Sequence, residues 1–292
     1  MSSSEIEPLF QTSQSRAPTG TVWLGTSQSD IHIPVHEFIL TGRSMVLRKA
    51  FQDFRSTDHA SVPDILTIQR DGRGQTHVII HAVDVLTVLN IAFFVYTDSI
   101  LDVWQQVRYS PESASRYRQV RSEVMRIASH LGFSTLERAA RLMIEPTKSL
   151  KADMERAIRD PAFFDSADVV IELNGSEVKA HSQVICQRCP FFNALFFGRS
   201  EGMWLLARRA DSEHMVRIDL RHFEPHVFKF VLRYMYADTE AELFDDVRSR
   251  DLEDFIDLVL DVAFVANELM IDRLAQICQK MLGMFGKLTL LV

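Results

Sequence analysis

The chain has few cysteines and no excess of positive charge. Its 292 residues include three cysteines, and 32 basic residues stand against 39 acidic ones, which leaves a formal net charge of −7. A small, odd number of cysteines is typical of a reducing compartment rather than of a disulfide framework. We therefore expect an intracellular protein, in the cytoplasm or the nucleus. The missing basic excess argues against a nucleic-acid partner.

Signals for a membrane are also missing. The N-terminus lacks the charged start and apolar core of a secretory signal, and we expect residues 1–20 to form a disordered tail. The long apolar run at 78–96 is interrupted by His81, Asp84 and Asn90, which are costly in hydrocarbon. We interpret this run as the end of a strand followed by a buried helix, and we expect no membrane partner.

The common catalytic motifs are absent as well. The sequence contains no Gly-x-Ser-x-Gly, no Walker loop and no Gly-x-Gly-x-x-Gly. We therefore expect a protein that is not an enzyme and that holds no cofactor.

One stretch nevertheless suggests metal or thiol chemistry. Cys186-x-x-Cys189 is followed by His222-x3-His226, but the 32 residues between Cys189 and His222 exceed the roughly 12–15 of a compact zinc finger. A thioredoxin-like redox dithiol follows a strand and opens a helix, whereas Cys186 lies near the end of a predicted helix. A zinc protein and a cysteine-dependent enzyme remain minor alternatives.

The same stretch belongs to an internal repeat. HEFILTGRSMVLRKAF, from His36, aligns without a gap with HSQVICQRCPFFNALF, from His181. Further on, FFVYTD aligns with RYMYAD, and IASHLGFSTLERAA aligns with FVANELMIDRLAQI. The offset falls from 145 to 140 to 138 residues, as loops of different length require. Two copies of this size indicate tandem domains rather than a solenoid.

Local patterns predict the fold of each copy. In the second copy, DVVIEL alternates as a strand, and Asn174-Gly175 predicts a tight hairpin turn. Pro190 suits the first position of a helix, which makes Cys189 its N-cap, and the aligned residue of the first copy is Ser44. The expected class is α+β, with two domains, each a small, mostly three-stranded sheet wrapped by helical hairpins.

The expected boundaries follow from this repeat. After the tail at 1–20, we expect a first domain at 21–145, a linker helix at 146–166, a second domain at 167–282 and a C-terminal tail at 283–292.

The second copy resembles a complete BTB (POZ) domain. The resemblance rests on Asp168 in the first strand, Ala180-His181, the Cys189-Pro-Phe-Phe run, Tyr234-x-Tyr236, and Ala266-x-x-Leu269-x-x-x-x-Leu274. The first copy resembles a divergent BTB domain. The tandem order is similar to the BTB pair of the inhibitor of Bruton tyrosine kinase group and its fungal relatives.

The resemblance implies an adaptor. BTB domains pair with one another, and many dock onto cullin-3 and present a substrate protein to a ubiquitin ligase. The implied partners are therefore another BTB domain in the same or another chain, cullin-3, and a substrate of unknown identity. A BTB scaffold or transcription-regulator module without a ligase is the alternative.

The resemblance also assigns residues. It implies structural roles for His36 and His181, with Asp168 as the partner of His181, and for the caps Ser44 and Cys189. Many cullin-binding BTB domains carry a hydrophobic-x-Glu motif after the helix, but here the residue two before Glu201 is Arg199. Glu201 in a solvated loop is an equal alternative to a cullin contact. The implied cullin-binding residues are Phe197, Glu201, Met203, Trp204 and Tyr236.

Overall fold

A computed structural model of the chain describes residues 20–101, 111–198, 215–247 and 251–289. The structure divides into two compact units, unit 1 up to Ser166 and unit 2 from Ala167. Residues 1–19, which include almost all of the expected N-terminal tail, lie outside the described residues.

In unit 1, two strands and two helices are followed by three more strands and then by helices. Its strands are β1 (Thr21–Thr26), β2 (Ser29–His36), β3 (His59–Val62), β4 (Leu66–Arg70) and β5 (Thr76–Ile80). Its helices are α1 (Glu37–Arg43), α2 (Met45–Thr57), α3 (Val85–Thr97), α4 (Pro111–Leu131), α5 (Ser134–Leu142) and α6 (Leu150–Ala157), followed by a 3-10 helix at Pro161–Ser166.

The sheet of unit 1 has five strands in the order β2-β1-β5-β4-β3. Strand β1 pairs antiparallel with β2 and parallel with β5, and β4 pairs antiparallel with both β5 and β3. The prediction of a mostly three-stranded sheet is therefore wrong for this unit. The three predicted strands are present, and the β3–β4 hairpin extends the sheet beyond them.

The sequence carried a signal for the missed hairpin. Ala60, Val62, Leu66 and Ile68 alternate with polar residues on both sides of a turn, and they pair in register as Ala60 with Ile68 and Val62 with Leu66. Asp64 in the turn adopts a left-handed conformation with φ of 59°, which aspartate tolerates better than most residues. The hairpin has no counterpart in the aligned stretches, and a comparison of the two copies does not reveal it.

Unit 2 contains a smaller sheet. Its elements are β6 (Val169–Leu173), β7 (Ser176–Ala180), α7 (Ser182–Arg188), α8 (Pro190–Phe197), β8 (Val216–Asp219), α9 (Pro225–Ala237), a 3-10 helix at Ala241–Val247, α10 (Leu252–Glu268) and α11 (Asp272–Thr289). The three strands lie in the order β7-β6-β8, and β6 is antiparallel to β7 and parallel to β8. Gly175 turns the β6–β7 hairpin with φ of 69°.

The segment expected to link the two domains packs onto unit 1. Met154, Ala157 and Phe163 are buried, and the Met154 side chain contacts the backbone of α1 at Gly42. Arg48 of α2 forms an ion pair with Asp160. Apolar burial and a partly buried ion pair both link this segment to α1 and α2, and it therefore forms part of unit 1.

The apolar run at 78–96 is divided between two elements. Its first residues complete β5, and α3 begins at Val85 with Asp84 as the N-cap, whose side chain accepts a hydrogen bond from the Leu86 N–H. Helix α3 buries most of its residues inside unit 1. Among the described helices, none has both the length and the apolar character needed to cross a membrane.

Candidate interaction site

A tyrosine clamps the junction between β7 and α7. The hydroxyl of Tyr236, on α9, lies 2.8 Å from the backbone nitrogen of His181 and 2.8 Å from Nδ1 of its ring. A hydroxyl that accepts from the backbone N–H can donate to an unprotonated Nδ1. Burial raises the pKa of Tyr236, which keeps the hydroxyl protonated as this arrangement requires.

Asp168 supports the same junction from the start of β6. Its carboxylate accepts hydrogen bonds from the backbone N–H and the hydroxyl of Ser182, both at 2.7 Å. A carboxylate placed at the N-terminus of a helix accepts a hydrogen bond from a free N–H and complements the helix dipole. The contact between Asp168 and His181 that the resemblance implied stays a prediction.

A chain of charges follows at the end of α7. Arg188 pairs with Asp238, the left-handed C-cap of α9, and Arg273 of α11 lies 3.5 Å from the same carboxylate and also pairs with Glu240. These side chains are about a third to a half exposed. Ion pairs at this exposure contribute little to stability, typically about 0–1 kcal/mol. Because the side chains are exposed, their charges are also accessible to a partner.

Cys186 and Cys189, at the end of α7 and the start of α8, are both buried. Cys189 occupies the N-cap position of α8, as predicted, but its side chain makes no capping hydrogen bond. Instead its Sγ lies 3.4 Å from the carbonyl oxygen of Leu269. Cys186 contacts the Phe192 carbonyl oxygen at 3.7 Å. Both side chains therefore act as small core residues with weak hydrogen bonds.

Burial also governs the thiol chemistry. It raises the pKa of Cys186 to about 12 and also raises the pKa of Cys189. The thiolate is the form that attacks electrophiles and binds metal, and raised pKa values keep both thiols protonated near neutral pH. His222, of the suggested metal pattern, contacts Glu268 at 2.7 Å. In the described part of the chain, no three histidine, cysteine or acidic side chains form a metal-holding group.

The implied cullin-binding residues are placed very differently. Phe197, the last residue of α8, is 71 % exposed, while its neighbour Phe196 is buried. Tyr236 is only 8 % exposed, and its hydroxyl is engaged by His181, so it supports the junction from inside and presents almost no surface to a partner. Glu201, Met203 and Trp204 lie outside the described residues.

Unit 1 repeats the same contacts at the aligned positions. The hydroxyl of Tyr96 lies 2.8 Å from both the backbone nitrogen and Nδ1 of His36. Arg43 pairs with Asp98, the left-handed C-cap of α3. The Ser44 hydroxyl donates to the Leu131 carbonyl oxygen at 2.7 Å, where unit 2 uses Cys189 and Leu269. Unlike Cys189, Ser44 also caps its helix by accepting from the Leu47 N–H.

Sequence reasoning missed the pairing of each tyrosine with its histidine. The available signal was that both members of each pair align between the copies, His36 with His181 and Tyr96 with Tyr236. Alignment indicates a shared role but does not identify which distant residue is the partner. It also missed the exposed apolar residues of α10, Leu260 and Phe264.

Part of the chain matches a known protein family. The model of the BTB/POZ domain matches residues 161–284, so this part of the chain is a BTB/POZ domain, a class of protein–protein interaction module. The chain is 26 % identical over 272 residues to BTB/POZ domain-containing protein 1 of the fission yeast Schizosaccharomyces pombe, which is a homologue. That match covers 91 % of the chain but 18 % of the yeast protein, so the chain spans less than a fifth of the relative.

Three further proteins are similar over less than half of the chain. BTB/POZ and MATH domain-containing protein 5 of Arabidopsis thaliana is 24 % identical over 121 residues, covering 39 % of the chain and 27 % of that protein. Two solved structures are also similar. The BTB domain of zebrafish PATZ1 has 14 % identity and a TM-score of 0.32, covering 47 % of this chain and 97 % of that one. The BTB domain of human Gigaxonin has 16 % identity and a TM-score of 0.30, covering 46 % and 92 %.

Proposed function

We propose that the chain is an adaptor that joins a substrate protein to a cullin-3 type ubiquitin ligase, and that Phe197 belongs to the cullin-docking surface. The observation that carries the proposal is the exposure of Phe197 at the end of α8, within a BTB/POZ domain. Exposed aromatic side chains are frequent anchors of protein interfaces. The adaptor acts inside the cell, without catalysis and without a cofactor.

The docking surface continues along the chain in this proposal. Glu201, Met203 and Trp204 follow Phe197 within seven residues and supply one carboxylate and two apolar side chains. Tyr236 contributes indirectly, because its hydroxyl holds the β7–α7 junction from which α8 begins.

We also propose that unit 1 is a second BTB/POZ domain, which makes the chain a tandem pair like that of the inhibitor of Bruton tyrosine kinase group. Three repeated contacts support this: the tyrosine–histidine clamp, the arginine–aspartate pair at the helix C-cap, and the cap side chain bonded to a leucine carbonyl. The match to the yeast homologue covers 91 % of the chain and therefore extends over most of unit 1.

The docking proposal is tested by binding of the full chain to purified cullin-3. We expect Phe197→Gln and Glu201→Ala each to weaken binding by about tenfold or more, as loss of an interface anchor does. Glutamine is chosen for position 197 because unit 1 has Gln52 at the aligned position. Met284→Gln is the matched control, since Met284 is also an exposed apolar residue of unit 2, and it should bind like the wild type. Absent binding, or binding that neither substitution weakens, would remove cullin-3 from the proposal.

The alternative is a BTB scaffold or transcription-regulator module without a ligase. Arg199 favours it, because it stands where a hydrophobic-x-Glu motif would place its apolar residue. The same binding measurement decides between the two functions, since a scaffold would not bind cullin-3.

Pairing with another BTB domain is the second part of the proposed function, because BTB domains typically dimerise. The partner domain belongs either to the same chain or to another copy. Light scattering of the full chain at micromolar concentration distinguishes these arrangements. A monomer at all concentrations favours pairing within the chain, and a dimer favours pairing between chains.

A further inference from the structure

Helix α10 carries a row of apolar side chains on its outer face. Ile256, Leu260 and Phe264 follow one another at a spacing of four residues, which places them in one line along the helix. Leu260 is 48 % exposed and Phe264 is 65 % exposed, while Ile256 is partly exposed. The core-facing side of α10 is formed by other residues, among them Val259 and Val262. The outer row is therefore not part of the unit 2 core.

An acidic row runs beside the apolar one. Glu253, Asp257 and Asp261 are exposed and share the same four-residue spacing. The helix Leu252–Glu268 contains no lysine, arginine or histidine. No basic side chain of the described residues pairs with these three carboxylates. One face of α10 thus combines apolar surface with negative charge that the described part of unit 2 does not neutralise.

The matching helix of unit 1 indicates that the fold does not require this apolar row. Helix α4 aligns with α10 at an offset of 138 residues, and the aligned core positions are buried in both: Val124 and Val262, Ala128 and Ala266, Leu131 and Leu269. At the positions of Ile256, Leu260 and Phe264, however, α4 has Arg118, Ser122 and Arg126. The same place in the repeated architecture is polar in one unit and apolar in the other.

We propose that the outer face of α10 binds a basic amphipathic helix of another protein. Ile256, Leu260 and Phe264 would receive apolar side chains repeating every three or four residues, and the acidic row would pair with lysine or arginine beside them. Charge complementarity selects this occupant, because like charges brought together across an interface are strongly disfavoured. Two copies of α10 would set acidic rows against each other, and a nucleic acid or an anionic membrane would be repelled.

This surface goes beyond the proposed cullin docking and is tested separately with designed peptides. The probe is a fluorescein-labelled helical peptide with leucine and lysine in adjacent rows, and its binding to the full chain is measured by fluorescence anisotropy. One control peptide has the same composition in scrambled order, and a second has glutamate in place of lysine. We expect both controls to bind at least about tenfold more weakly than the probe, because the scrambled peptide has neither row in order and the glutamate peptide lacks the basic row.

Substitutions then locate the binding site. Leu260→Ser and Phe264→Ser should each weaken probe binding by about tenfold, and their exposure allows both variants to keep the wild-type circular dichroism spectrum. Asp257→Asn combined with Asp261→Asn should weaken binding at low salt and make binding less dependent on salt, because fewer attractive charge pairs remain for salt to screen. Phe197→Gln should bind the probe like the wild type, which keeps this result independent of cullin-3.

Three results would overturn the proposal. The first is equal binding of the scrambled peptide, which indicates unspecific adsorption. The second is probe binding that neither the apolar nor the acidic substitutions weaken, which places the peptide elsewhere. The third is self-association of the wild-type chain, seen by sedimentation, that Leu260→Ser and Phe264→Ser abolish. In that case the occupant of the face is a second copy of the chain.

Discussion

Units 1 and 2 contain the same arginine–aspartate pair in very different surroundings. In unit 1 the side chains of Arg43 and Asp98 are 0 % and 5 % exposed, whereas in unit 2 those of Arg188 and Asp238 are 32 % and 47 % exposed. The difference comes from the segment around α6, where Ser149 donates its backbone N–H to Asp98 and Asp153 contacts Arg43. An identical pair in the repeat can therefore be a core element or a surface feature, depending on what covers it.

The largest effect is expected from removing each arginine in turn. Arg43→Ala leaves buried carboxylates without their cation and should lower the free energy of unfolding by about 3–5 kcal/mol, the usual result of breaking a buried pair. Arg188→Ala should change it by about 0–1 kcal/mol, since its pair is solvated. Urea unfolding of the full chain measures both values, with the transition of each unit followed separately. A similar loss of unfolding free energy in the two variants would show that burial does not control the contribution of this ion pair.

The contribution of the tyrosine–histidine contact to stability should also differ between the units, and here the larger contribution is expected in unit 2. Tyr236 is buried, so Tyr236→Phe removes a hydroxyl from a site that water does not easily fill and should cost about 1–3 kcal/mol. Tyr96 and His36 are half-buried, and Tyr96→Phe should cost about 0.5–1.5 kcal/mol because water can replace the hydroxyl. Urea or thermal unfolding tests the order, and a larger loss for Tyr96→Phe would show that burial does not control the clamp.

The two cap residues, Ser44 and Cys189, should also differ in their contribution to stability. Ser44→Cys loses the hydroxyl that accepts from the Leu47 N–H and should destabilise unit 1 by about 1 kcal/mol. Cys189→Ser loses no capping bond and should change the stability of unit 2 by less than about 0.5 kcal/mol, since a hydroxyl can replace the thiol against the Leu269 carbonyl. Both are measured by urea unfolding, and a larger loss for Cys189→Ser would contradict the assigned roles.

The smallest expected effect is a pH dependence of the stability of unit 1. Burial lowers the pKa of His36 below its ordinary value of 6.5. As the pH falls through that value, the unfolded chain takes up a proton before the folded chain does, so the stability of unit 1 falls with it. Protonation of Nδ1 would also remove the acceptor for the Tyr96 hydroxyl.

His36→Asn tests this because asparagine does not titrate. The stability difference between about pH 7.5 and about pH 5.5 should be smaller in the variant than in the wild type, since one linked proton is removed. Comparing the two proteins cancels the contribution of all other titrating groups. An equal pH dependence in both would assign the effect to groups other than His36.

Much of the architecture was predictable from local patterns. The alternation in DVVIEL, the turn at Asn174-Gly175 and Pro190 at the start of a helix correspond to β6, its hairpin turn and α8. The apolar run at 78–96 divides into β5 and α3, as its polar interruptions indicated. The β3–β4 hairpin was not predicted although its residues alternate, because the hairpin has no counterpart in the stretches that align between the two units.

The candidate site was predictable only in part. Phe196 and Phe197 are adjacent on one helix and could not both face the core, and Phe197 is the exposed one. Tyr236 was assigned to a docking surface from the resemblance, yet it lies inside unit 2 against His181. Contacts between residues 55 positions apart depend on how helices pack, which periodicity does not describe.

The amino-acid pattern alone is sufficient to predict the order of most strands and helices, the residues that align between the two units, and the polar or apolar character of each helix face. These follow from side-chain periodicity and turn chemistry, which act over a few neighbouring residues. Three features depend on tertiary packing. Arg43 is buried and Arg188 is partly exposed. Each tyrosine forms a hydrogen bond with a histidine, and Leu260 and Phe264 are exposed to solvent. Burial and pairing depend on segments far apart in the chain, and those segments meet only when the chain packs.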